Sequence, residues 1–434
     1  MKTAGVLAAV LAAVTSAAAA GDPTMFRGDA AHSGRYDAAP RAFHRVKWTF
    51  PTGGRIVSSP VLHDGVVFFG GNDGNVYAVA AGDGRRIWKH ATGGPVAATP
   101  AVDGGRVYVG SYDGRFYALD ERSGATKWKF STAGERHFEA KGLNGIQPRS
   151  QTVPDPFDLF LSSPAVAGGT VFFGSGDGNV YALDAQSGAL RWKFATGDVV
   201  HASPAVAGGM VYVGSWDSWF YALDAATGQQ RWRFHGGEDA LMHNQVGFAS
   251  SPTVVDGVVY TGCRDANVYA LDAATGAEKW RFYNNASWVI ASPAVADGKV
   301  FFATSDSALY HVLDAATGKP VLQQAGKAWM FSSPALAGDV VLIGAANGTL
   351  DARDRASGAL LWQFRTDASK QNRGWILTAD GAFNNALLFR SGWIEPTMAA
   401  SDRMLDIGSI LSSPLVANGT VYFGSTDGNL YAIE

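Results

Sequence analysis

From residue 46 onward the chain alternates short apolar runs with turn residues, and the stretch 203–234 shows the pattern most clearly. Ser203-Pro204-Ala205-Val206 opens it, and a Pro without an N–H suits the beginning of a strand better than its centre. Residues 211–214 form a β-branched and aromatic run of the kind buried strands carry. Ser215-Trp216-Asp217-Ser218 follows, and its counterparts Ser111-Tyr112-Asp113-Gly114, Ser175-Gly176-Asp177-Gly178 and Ser425-Thr426-Asp427-Gly428 place Asp-Gly between apolar runs. That dipeptide is a strong hairpin signal, because the turn needs positive φ. Residues 220–223 give a third run, 224–228 a second turn, and Arg231-Trp232-Arg233-Phe234 alternates charge with aromatic rings as a half-exposed outer strand does. The pattern predicts four short antiparallel strands in about 40 residues, which is one propeller blade.

The opening Pro recurs at Pro60, Pro100, Pro164, Pro204, Pro252, Pro293, Pro334 and Pro414, giving eight copies. The closing Trp recurs at Trp88, Trp128, Trp192, Trp232, Trp280 and Trp362, and in the sixth copy Val321 stands where Trp is expected. The eighth copy stops at Glu434, before a fourth strand. Val46-Lys47-Trp48-Thr49-Phe50 resembles Arg191-Trp192-Lys193-Phe194 and precedes the first opening Pro, so it is expected to complete the last blade. Such closure leaves no open sheet edge at the seam. The prediction is an all-β fold: a single eight-bladed β-propeller of four-stranded antiparallel blades over 44–434, closed by an N-terminal strand.

The repeat Ser-Pro-Ala-Val, Val-Tyr-Val-Gly-Ser-x-Asp-Gly, Tyr-Ala-Leu-Asp-Ala-x-Thr-Gly, Trp resembles the pyrroloquinoline-quinone (PQQ) type β-propeller repeat. Ala270-Leu271-Asp272-Ala273-Ala274-Thr275-Gly276 through Trp280 matches that family's tryptophan-docking motif. The resemblance implies that Trp48, Trp88, Trp128, Trp192, Trp232, Trp280 and Trp362 pack on the backbone of a neighbouring blade and lock the ring. It is specific for fold and weak for function, since function lives in sites grafted onto folds.

Residues 1–20 read as a secretory signal: Lys2 is the positive end, 6–14 are apolar, and Ala18-Ala19-Ala20 offers small residues for cleavage. No later stretch approaches the apolar length of a membrane span, so the mature chain is expected to be soluble, exported and, given the resemblance, periplasmic. A net charge of −3 supplies no basic field for nucleic acid. The single cysteine, Cys263, occupies a slot filled by Ser elsewhere and forms no intramolecular disulfide. Residues 21–43, with Phe26-Arg27-Gly28 and His32-Ser33-Gly34, read as a leader packed on the ring's side.

Three insertions interrupt the period, at 131–160, 235–248 and 365–410, each between a closing Trp strand and the next opening strand. In a four-stranded antiparallel blade those connections share a face with the Asp-Gly turns, so the insertions crowd one mouth of the channel. The third reads as a long cap or lid, with 385–389 and 391–394 as possible short strands and a degenerate ninth blade as the alternative. Long loops in a compact fold are usually functional or disordered. The binding candidates on this face are Arg136, His137, Arg149, Gln151, His201, His243, Asn244, Arg373, Trp375, Trp393 and Glu395. Cations and amides in a wet funnel could grip an anionic or quinone-like ligand, with Trp stacked on it.

No HExxH or Cys-His cluster points to zinc, and no nucleophile elbow or phosphate loop is present. Catalytic residues therefore cannot be named. PQQ and calcium are admitted by the resemblance, with Glu238, Asn244, Asp155 or Glu395 as conceivable ligands, but no motif demands them. The leading expectation is a monomeric, non-catalytic exported scaffold binding periplasmic or outer-membrane proteins, as in outer-membrane protein assembly. A PQQ- and calcium-dependent dehydrogenase of an alcohol or sugar is the alternative, and a periplasmic ligand sensor the second alternative.

Overall fold

The computed structural model describes residues 22–237, 247–388 and 391–434. The expected signal and the candidates His243 and Asn244 lie outside the described residues.

Eight blades surround a central axis. Blade 1 consists of Val61–His63, Val66–Gly71, Asn75–Ala80 and Arg86–Ala91, hydrogen-bonded in that order from the axis outward. The Asp-Gly turn joins the second and third strands, and its Gly74 sits at φ +79°, where a Cβ would be strained. Blade 8 combines Leu415–Ala417, Thr420–Gly424 and Asn429–Ile433 with Val46–Pro51 as its outer strand. The pairing is antiparallel, with Trp48 opposite Ala432 and Phe50 opposite Leu430. The ring is thus closed by the N-terminal strand.

Neighbouring blades are stapled at three radii. At the rim, every docking Trp but Trp362 donates its indole N–H to a backbone carbonyl of the next blade: Trp192 to Ala225 at 2.9 Å, Trp232 to Ala273 at 3.0 Å, Trp280 to Ala315 at 2.9 Å. The ring lies flat on the next blade's turn glycine, and a Cβ on Gly228 would fall 2.6 Å from the Trp192 indole. At mid-radius, the hairpin Asp accepts from its own blade's Tyr and from a backbone N–H of the preceding blade; Asp217 takes Tyr221 Oη–H at 2.7 Å and Gly197 N–H at 2.6 Å. Around the axis, the Ser or Thr before seven of the eight opening Pro residues accepts from the preceding blade's equivalent amide: among them Ser59 N–H to Thr99 Oγ1 at 3.0 Å, Ser163 N–H to Ser203 Oγ at 2.9 Å, and Ser413 N–H back to Ser59 Oγ at 2.9 Å.

The register corrects the sixth repeat. Leu322, opposite Val312, occupies the slot that Trp280 fills opposite Ala270, while Val321 points outward and is exposed. Leu322 lies against Gly358 of blade 7 as the indoles lie against theirs. Blade 8 has no second turn of its own to receive Trp362, and the leader supplies the missing acceptor: Trp362 Nε1–H donates to Pro40 O at 2.9 Å.

The leader crosses the mouth of the channel and does not lie on the ring's side. Its acceptors serve inner-strand amides of successive blades: Pro23 O for Leu62, Thr24 O for Val102, Ala30 O for Val206, Ala31 O for Val254 and Gly34 O for Leu336. Arg35–Tyr36 then adds to blade 7 as a short parallel strand. These inner strands are sheet edges, so their spare N–H groups need such partners. Arg27, 2 % exposed, gives its guanidinium to the carbonyls of Pro334, Pro293 and His32, and burial lowers its pKa to about 10.

Candidate functional site

The opposite mouth carries the first and third insertions. One turn position varies freely among the repeats, the residue between the small residue and the Asp (Asn347 in the seventh): Asn72, Tyr112, Gly176, Trp216, Arg264, Ser305, Ala346 and Thr426. At blades 4 and 5 this slot holds Trp216 and Arg264, both buried.

The first insertion turns inward through a small hairpin, Glu139–Lys141 paired with Thr152–Pro154. Phe138 stacks on Trp216 with centroids 4.5 Å apart. Asp155 pairs with Arg264, and neither side chain is more than 1 % exposed. The Arg264 guanidinium lies between two indoles, 3.8 Å from the Trp288 centroid and 4.6 Å from that of Trp216. Three residues on, Asp158 accepts Phe138 N–H at 2.7 Å and binds His201 Nδ1 at 2.7 Å. Glu135 Oε2 stands 3.8 Å from His201 Nε2 and accepts Gly176 N–H at 2.5 Å. Burial alone would lower the His201 pKa, but the two carboxylates overcome it and raise the value to about 10, so the ring is an imidazolium. These charges bolt the insertion to blades 3, 4 and 5.

The third insertion is helical. Asp367–Gln371 is N-capped by Thr366, whose hydroxyl accepts Ser369 N–H; Asn385–Leu388 and Ile394–Leu405 follow. Where strands were expected at 385–389 and 391–394, Asn385–Leu388 is a helical turn and Trp393 precedes the helix Ile394–Leu405. Ala400 and Met404, four apart, face inward with Ile376, Leu377, Phe383 and Leu388 in one core. Arg55 of the ring fastens this helix through Asp402 and Asp406, both at 2.6 Å. The two insertions join where Ile394 N–H donates to Gln147 O and Gln147 N–H to Gly392 O.

Between them the expected wet funnel is filled. Phe157 packs edge-on to Trp288 and Trp329, and Phe331, Phe160 and Leu161 continue the apolar fill toward the serine ring. The remaining channel cavity, ringed by the eight Ser and Thr residues and by His201, Phe26 and Phe160, measures about 40 Å³. That is room for a few waters, whereas cofactor sites span roughly 300–1,000 Å³. A three-ring quinone does not fit here. Among the described residues no group of three or more His, Cys, Asp or Glu is placed to hold a metal ion. Of the conceived calcium ligands, Asp155 is engaged with Arg264 and Glu395 is exposed on the outer helix.

The candidate residues do not converge on one pocket. His201 is buried in its ion network. Arg136 pairs with Asp198 at 2.7 Å, and His137 lies on Tyr112 at 4.9 Å. Arg149, Gln151, Arg373, Trp375, Trp393 and Glu395 are exposed on the outer surface of the insertions. Arg264, Trp216, Trp288, Asp158 and Glu135 were absent from the binding candidates. The signal for the first two was the lack of consensus in their slot amid an otherwise strict repeat.

A ring of such blades with caps on one mouth defines a class, the PQQ-like propellers. The PQQ_2 family profile, described as outer membrane protein assembly factor BamB, matches residues 35–153, 149–286 and 264–382, and the chain belongs to this family. Among solved structures, BamB from Moraxella catarrhalis is 17 % identical with a TM-score of 0.64, over 90 % of this chain and 97 % of that one. A europium-containing methanol dehydrogenase is 13 % identical with a TM-score of 0.69, over 95 % and 98 %. The quinohemoprotein alcohol dehydrogenase from Comamonas testosteroni is 15 % identical with a TM-score of 0.67, over 96 % and 81 %. At these identities the likeness establishes the fold alone. No curated protein matches the chain. Among the described residues no helix is long and apolar enough to cross a membrane.

Proposed function

We propose that this protein is an exported, non-catalytic propeller that binds other proteins in the periplasm, with outer-membrane protein assembly as the setting its family description suggests. The observation that carries the reading is the filled funnel. The place over the ring where a ligand would gain most enclosure is taken by Phe157, Trp329, Phe331 and the sandwiched Arg264. Chemistry needs a chamber, whereas binding of a large partner needs a rigid, well-anchored outer surface, and the insertions supply one.

Two measurements test it. A thermal melt with PQQ and calcium is expected to match the melt without them, whereas saturation a hundredfold above Kd would add about 2.7 kcal/mol of stability and overturn the reading. A photo-crosslinking residue at the exposed position 375 is expected to form adducts with outer-membrane or assembly proteins in intact cells. Crosslinkers at 375 and around the ring that all yield none would also overturn it.

A further inference from the structure

Resting on the scaffold reading, the geometry points to the kind of partner: we propose that the helix Ile394–Leu405 and its flanks bind an extended, acidic polypeptide segment carrying aromatic side chains. The argument begins with two indoles left outside. Trp375 is 76 % exposed and Trp393 is 60 % exposed, in a chain whose docking tryptophans are all tucked against neighbouring blades. Trp393 sits at the N-terminal end of the helix and Trp375 near its last turn, since a Cβ placed on the adjacent Gly374 would fall 3.8 Å from Arg403 Nη2. A helix of 12 residues is about 18 Å long. The two indoles therefore mark the ends of a track that about five extended residues would span.

Each end also carries unneutralised positive charge. Arg373 is two residues from Trp375, and Arg403 adjoins the same turn. Arg149 is two residues from Gln147, which is bridged to Trp393. All three arginines are exposed and make no ion pair among the described residues. Of the carboxylates nearby, Asp402 and Asp406 are engaged by Arg55 and Asp367 by Lys370, whereas Glu395, in the helix's first turn, makes no ion pair among the described residues. Arginine forks beside exposed indoles offer bidentate sites for carboxylates next to platforms for aromatic rings. Between the ends the helix shows water Glu395 and other polar side chains, so the track lacks the continuous apolar stripe that a bilayer surface requires. A polypeptide tolerates that interval, because its backbone N–H groups can donate to Glu395.

The test uses the mature protein and synthetic fluorescent peptides of about 12 residues. One alternates Asp or Glu with Phe or Tyr, a second has Lys for every acid, and a third has Ala for every aromatic. Fluorescence anisotropy is expected to show binding of the first alone. W375A/W393A should weaken it at least tenfold, as truncated Trp anchors do. The triple variant R149Q/R373Q/R403Q should flatten its salt dependence. These side chains are exposed, so the variants keep the wild-type melt. Equal binding of the Lys peptide, unchanged binding by W375A/W393A, or binding of anionic vesicles in place of the peptide overturns the proposal. If no peptide binds while crosslinks persist from other ring positions, the track fails and the scaffold reading stands; loss of both fails the scaffold reading itself.

Discussion

The bolt between the first insertion and the ring can be measured directly. In R264M the cation is removed while a flexible side chain of similar reach remains between Trp216 and Trp288. Asp155, with no exposed side-chain surface, then keeps its charge in a closed setting where, among the described residues, only Phe157 N–H, at 2.8 Å on Oδ1, remains to hold it. Breaking a buried pair from one side costs about 3–5 kcal/mol. Each lost stacking contact of the guanidinium adds on the order of 0.5–2 kcal/mol, of which the Met sulfur returns a part. The expected loss is about 5–7 kcal/mol. In D155N/R264M the charge is gone and Asn still accepts the Phe157 amide, so the double variant should lose only about 2 kcal/mol, giving a coupling of at least about 2 kcal/mol. Urea unfolding followed by tryptophan emission reads this well, since two of the reporting indoles flank the mutated side chain. A loss below about 1 kcal/mol in R264M, or a double variant as damaged as the two singles added, would refute the account.

Stability should peak near the ordinary histidine pKa of about 6.5, falling on both sides for different residues. His201 has a raised pKa, so its contribution is complete below 6.5 and is lost as pH climbs toward about 10. His32 and His311 are buried neutral with pKa values lowered to about 4 by desolvation, so their contribution is present above 6.5 and lost as pH falls toward 4. Melts across this range should show the peak, and H201Q should flatten only the alkaline limb; an unaltered alkaline limb would sink the assignment. L322W should restore the missing rim contact, placing an indole over Gly358 within reach of the Arg355 carbonyl, and raise stability by about 1 kcal/mol in a denaturation series. A lower midpoint would mean that blade 7 has settled around the smaller side chain. Deleting residues 44–50 should lower the melting temperature sharply, because blade 8 loses its outer strand and Trp48 its place on Gly84; an unchanged melt would contradict ring closure by that strand.

The ring was legible because each repeat states its turns and its packing in residue types that physics restricts. Asp-Gly at hairpins, Pro at inner-strand starts and Trp opposite Ala are local decisions, and eight copies average out exceptions. One exception misled: Val321 and Leu322 are both apolar, and only the bulge in the pairing decides which faces the neighbour. The caps were less legible because nothing repeats in them. Arg136, His137 and His201 were picked out as polar residues near the mouth, but whether they meet a ligand or each other depends on how far the insertion folds inward. Phe138, Phe157 and Phe160 carry it in far enough to dry the funnel and leave the charges to pair among themselves. The fate of Trp375 and Trp393 was likewise open, since an indole in a cap can as easily be core as surface.

The seam has a temporal meaning. Residues 46–51 wait for 429–433, and the amides of His44 and Arg45 both reach the carbonyl of Glu434. The leader, by bonding to inner strands of blades 1, 2, 4, 5 and 7, can take its full set of partners only after those blades exist. A chain emerging from its N-terminus can therefore build blades one after another but cannot lock the circle until its final residues arrive. If the chain is exported as proposed, this ordering keeps the closed, hard-to-unravel form on the far side of the membrane.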